Sequence, residues 1–148
     1  MSIYVPLVQG LYTALASAVR TTTQTILGKT LIDPTSSNTD ARFAQSVIQE
    51  ASGLIAYLNI TTASGTGGLS LVLEEQDHVS GTWNQIAATT GTTATSLVTL
   101  KIKAAIAAVA ASGTKVAVQD ILPANWRLRV VHADGSNYTY SLGVVLYN

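Results

Sequence analysis

The sequence predicts a mainly all-β fold, an antiparallel β-sandwich or jelly-roll-like barrel, with one short Ala-rich helical turn and an extended N-terminal arm. Three observations lead there. From about Gly53 onward apolar residues recur at every second position, the period of a strand with one face against a core. Clusters of Gly, Ser, Thr, Asn and Asp break that pattern at short intervals, as in sandwiches and barrels. Thr and Ser together supply 33 of the 148 residues, and Thr suits a pleated surface. The length fits one domain. Its simplest partition is an N-terminal arm with the first strands over residues 1–52 and a sandwich core over residues 53–148.

The first fifty residues carry the weakest pattern. Residues 4–15 are apolar without a clean period, and residues 13–25 read as a strand with Ala14, Ala16 and Ala18 on one side, in competition with helix. Residues 33–38 form a polar loop, and residues 43–50 a short strand or a turn of helix. The leader Ile3-Tyr4-Val5-Pro6-Leu7-Val8 is too apolar for a solvated tail. It packs on its own domain or docks on a neighbour, and Ile3, Tyr4, Val5, Leu7 and Val8 are the candidate interface residues of such an arm.

Beyond Gly53 the elements are sharper. Leu54, Ala56, Leu58 and Ile60 share one face of a strand, and Leu69, Leu71 and Leu73 one face of the next, with a Gly/Ser/Thr turn over residues 61–68 between them. Asp77, Ser80 and Gly81 supply turn chemistry for a hairpin into a strand opened by Trp83. Val98, Leu100 and Ile102 mark a further strand. The Ala-rich run 104–111 has high helix propensity but only eight residues, so one helical turn within a loop is expected there. Val116 and Val118 suggest a short strand. Trp126, Leu128, Val130 and His132 alternate most clearly, and Asp134-Gly135-Ser136-Asn137 then turns the chain into Tyr138, Tyr140, Leu142, Val144 and Leu146, a second expected hairpin. Trp83, Trp126, Tyr138 and Tyr140 are the expected core or inter-sheet anchors.

Charge and composition narrow the function. Eight Lys and Arg balance eight Asp and Glu, without a basic patch to neutralise phosphates, so nucleic acid is not an expected partner. No apolar run reaches the ~18 residues of a membrane span, so no membrane contact is expected either. The first cation is Arg20, which predicts no secretory leader. The absence of cysteine removes disulfides and thiolate chemistry. A neutral surface of small hydroxyls and 20 alanines suits an assembly subunit, because a net charge near zero favours association.

Residues of chemical interest fall short of a site. Glu74, Glu75, Asp77 and His78 have no calcium-loop spacing and read as solvated hairpin residues. Glu75 and Asp77 at a hairpin tip lack the cleft that paired glycosidase carboxylates need. His132 and His78 are the only imidazoles, no Gly-x-Ser-x-Gly elbow accompanies them, and His132 beside Asp134 reads as a hydrogen-bonded turn histidine. Gly65-Thr66-Gly67-Gly68 lacks the lysine and helix of a phosphate loop. Trp83, Trp126, Tyr138 and Tyr140 could form a sugar-stacking platform, although alternation already places them as anchors. Neither an enzyme nor any cofactor or metal is expected.

One ordered set of motifs is more specific. Asp77-His78-Val79-Ser80-Gly81-Thr82-Trp83, then Leu122-Pro123-Ala124-Asn125-Trp126-Arg127-Leu128-Arg129-Val130-Val131-His132-Ala133-Asp134, then Tyr140-Ser141-Leu142-Gly143 resembles small structural proteins of tailed bacteriophages, nearest to capsid decoration or cement proteins. The resemblance spans roughly residues 53–146. It implies a non-enzymatic virion component on the phage head surface, made in the bacterial host cytoplasm and often trimeric. Its partners would be copies of itself and the major capsid protein. A tail or baseplate component, or a receptor- or carbohydrate-binding β-sandwich module, is the alternative.

Overall fold

A computed structural model describes residues 10–32 and 51–147. The described chain forms β1 (Gly10–Arg20), β2 (Gln24–Leu27), α1 (Gly28–Ile32), β3 (Gly53–Ala63), β4 (Leu69–Gln76), β5 (Trp83–Ala88), β6 (Ser96–Ile102), β7 (Lys115–Val118), β8 (Trp126–His132) and β9 (Tyr138–Tyr147). The strands make two sheets, one in the order β1-β9-β3-β6-β7 and the other β2-β8-β4-β5. All pairings are antiparallel except β6 with β7. The all-β, sandwich-like fold predicted from the sequence is the fold observed.

The alternating residues explain the two layers. Leu54, Ala56, Leu58 and Ile60 of β3, Val98, Leu100 and Ile102 of β6, and Tyr138, Tyr140, Leu142, Val144 and Leu146 of β9 are buried on the inner face of the first sheet. Leu69, Leu71 and Leu73 of β4, Trp126, Leu128 and Val130 of β8, and Ile26 of β2 bury the inner face of the second. Neither face is stable in water, so the sheets close on one another.

Three expectations are corrected. The turn over residues 133–137 does not close a hairpin, because β8 lies in the second sheet and β9 in the first. It is an arch that carries the chain across the core, and alternation alone cannot distinguish it from a hairpin because both put the same residues inward. Residues 104–111 contain no helix: Ala104 and Ala105 form a turn, with Ala105 at φ 60°, and Val109 then pairs with Ala117 at the sheet edge. Two backbone hydrogen bonds of 3.0 and 3.1 Å join Val109 and Ala117, an edge pairing that a stretch too short to sustain a helix takes instead. The Ala14, Ala16 and Ala18 face of the first strand is broken by two register shifts between β1 and β9, each adding one residue to β1.

Arg20 fills the bulged region. Its guanidinium donates to the carbonyls of Ala16 at 2.7 Å, Ala18 at 3.3 Å and Tyr140 at 2.7 Å, satisfying acceptors around the disturbed ladder. The helix that does form, α1, has no advance signal in Gly28-Lys29-Thr30-Leu31-Ile32. Gly28 is required by packing, since a Cβ there would stand 2.6 Å from the Trp126 ring.

Candidate interaction face

The predicted anchors divide in the structure. Trp126, Tyr138 and Tyr140 are buried within the core, whereas Trp83 is half-buried on the outer face of the second sheet. Trp83 stands opposite Gln76, and the guanidinium of Arg127 covers its ring at 4.2 Å. The four aromatics therefore form no open platform: three are sealed inside, and one face of the fourth is occupied. The arm residues Ile3, Tyr4, Val5, Leu7 and Val8 lie outside the described residues.

The acidic cluster also divides. Glu74, expected as solvated, is only 8% exposed, because register places it opposite Arg127. Arg127 Nε donates to its Oε2 and Arg129 to its Oε1 at 3.4 Å. Glu75 and His78 remain exposed. Asp77 organises the hairpin by accepting from the Val79 N–H at 3.0 Å and the Ser80 hydroxyl at 2.7 Å, and these bonds hold its carboxyl below the usual carboxylate range.

His132 joins the sheets at the arch. Its Nε2 shares a 3.0 Å hydrogen bond with the Tyr140 hydroxyl, and its Nδ1 is buried with no partner. A proton on Nε2 leaves only a lone pair at Nδ1, which costs less than a stranded N–H. Burial pushes the imidazole below its ordinary pKa against the opposing pull of Asp134, and the same desolvation raises Tyr140 to about 12. Tyr138 accepts from the Gly68 N–H at 2.8 Å, and Thr23 accepts from the His132 N–H at 3.1 Å. Asp134 is engaged by the Ser136 N–H at 2.9 Å, and its pKa is lowered by bonds to Ser136. These contacts tie the β1–β2 and β3–β4 connections to β8 and β9. Among the described residues no group of three or more His, Cys, Asp or Glu could hold a metal ion, and no helix is long and apolar enough to cross a membrane.

The feature that stands out is the outer face of the first sheet. Leu11, Val145, Ile55, Lys101 and Ala117 form one row across all five strands, and Thr13, Gly143, Tyr57, Thr99 and Lys115 the next. No Asp or Glu occurs in any of those strands, whose only charges are Arg20, Lys101 and Lys115. Four large apolar residues are exposed on or beside this face: Leu11 at 79%, Val19 at 65%, Leu97 at 55% and Val109 at 37%. Five strands span roughly 19 Å and the longer ones about 30 Å, a projected area on the order of 600 Å² that approaches the ~800 Å² per partner of a stable interface.

Sequence reasoning missed this face, because rows across a sheet depend on register and strand order. Comparisons with known protein families, curated proteins and solved structures find no match to this chain.

Proposed function

We propose that this chain is a virion structural protein of the capsid decoration or cement type, which stabilises a phage head by bridging capsid subunits. The observation that carries the reading is the broad outer face of the first sheet, free of carboxylates and bearing exposed Leu11, Val19 and Leu97. Isolated exposed apolar residues are ordinary, but here several occur on a sheet face that carries no carboxylate, which favours association. A protein that binds only the assembled lattice stabilises it by mass action and needs no catalytic groups. The ordered Asp77–Trp83, Leu122–Asp134 and Tyr140–Gly143 motifs support the same assignment by resemblance. On this reading the partners are further copies of the chain, as a trimer, and the major capsid protein.

The test is binding of the purified chain to shells lacking it, followed by heating of the particles. Raised shell stability and saturable binding at many copies per head are expected. A few copies per particle, located on the tail, would move the assignment to a tail or baseplate component. In the same assay, removal of residues 2–8 is expected to leave a folded domain that binds shells poorly. Full binding by that truncation refutes the arm's role.

A further inference from the structure

We propose that the outer face of the first sheet receives the β4–β5 hairpin of a second copy of this chain, so that self-association is head-to-tail. This rests on the self-association reading above and specifies its two surfaces.

Charge distribution selects the occupant. Lys101 and Lys115 are diagonal neighbours on β6 and β7, and Lys103 follows β6 with its amino group 5.1 Å from the Tyr147 ring. With no acid in the five strands, the charges they carry at this end are positive, and the exposed Asp120 lies beyond the end of β7. A second copy meeting it face to face offers these lysines no carboxylate, because the strands of that face carry none. The β4–β5 hairpin has the opposite character. Glu75 is exposed and Asp77 half-exposed, while Glu74 is already neutralised by Arg127 and Arg129.

The hairpin tip also has an apolar knob. Val79 is 82% exposed, a large apolar side chain held out at a turn. The tip is rigid. Asp77 N–H donates to Thr82 at 2.9 Å, Gly81 N–H returns to Asp77 at 2.8 Å, and Gly81 adopts φ 75°. Gln76 Nε2 donates to the Gly81 carbonyl at 3.0 Å, and Asn125 Nδ2 donates to Gln76 Oε1 at 2.7 Å. Rigidity matters because a preorganised loop loses little entropy on docking. Val79 thus meets an apolar face while Glu75 and Asp77 meet lysines. The two surfaces lie on different sheets of one molecule, so the contact is heterologous and generates a ring or an open chain.

The experiment uses the full chain in sedimentation velocity over a concentration series. Lys101→Glu with Lys115→Glu reverses the face, and Glu75→Lys with Val79→Asp removes one acid and the apolar knob from the hairpin; all four positions are exposed or half-exposed, and thermal melts check folding. Each variant chain is expected to self-associate at least tenfold more weakly. A mixture of the two is expected to recover 1:1 assemblies, because the unmutated lysine face of the hairpin variant meets the unmutated hairpin of the face variant. Salt at about 0.5 M weakens the wild-type association by screening. Unchanged association of the hairpin variant overturns the proposal while leaving the cement reading intact. A wild-type chain that stays monomeric and ignores shells overturns both.

Discussion

Leu142→Ala and Leu11→Ala are the sharpest paired test of the face assignments. Leu142 lies inward on β9 and is fully buried, whereas Leu11, on the neighbouring strand β1, points out and is 79% exposed. Removing three buried carbons at about 0.8 kcal/mol each costs about 2.4 kcal/mol in transfer free energy, and the unfilled space adds roughly 1 kcal/mol. The total of about 3–4 kcal/mol corresponds to a drop in Tm of roughly 6–16 °C for a domain of this size. Leu11 has about one fifth of its surface to lose, so its truncation costs about 0.5 kcal/mol. Urea unfolding of both variants with unchanged m-values is the assay. Equal losses, or a larger loss at Leu11, would refute the register of β1 against β9, since a one-residue slip exchanges the faces.

Three further outcomes are expected. Burial lowers the His132 pKa in the fold, so below about pH 6.5 the unfolded chain binds more protons and stability falls with falling pH until the folded imidazole also titrates; His132→Gln should flatten that slope in urea midpoints between about pH 7.5 and 5. Glu74→Gln should cost about 1–3 kcal/mol, because it leaves Arg127 and Arg129 beside a neutral amide, and the loss should be read by thermal unfolding. Gly28→Val drives a side chain into the Trp126 ring and should cost about 1–3 kcal/mol, with a shift in tryptophan emission.

The inner faces of β3, β4, β6, β8 and β9 were legible because burial on one side of a strand imposes a two-residue period that the sequence displays directly. Ladder partners were not legible. The same alternation serves the genuine hairpin between β4 and β5 and the arch between β8 and β9, and only the closing of two sheets decides between them. Trp83 shows the related limit: its size suggested the core, but register puts it on the outward side beside Arg127. Glu74 was misread for the same reason, since its two arginines lie more than fifty positions away in sequence. The alanine run was a conflict between local propensity and an available sheet edge, and the edge prevailed. As for the candidate site, the assembly of its residues into one carboxylate-free face required the strand order.

That order has a consequence for biosynthesis. The partner of β1 is β9, and the partner of β2 is β8, so these early strands pair with strands made much later in the chain. Until residues 138–147 emerge, β1 and one side of β3 have no ladder to join, and such non-local closure is slow. Closure of the first sheet is thereby deferred until β9 has been made, and a nonsense codon anywhere before β9 yields a sticky fragment with bare edges.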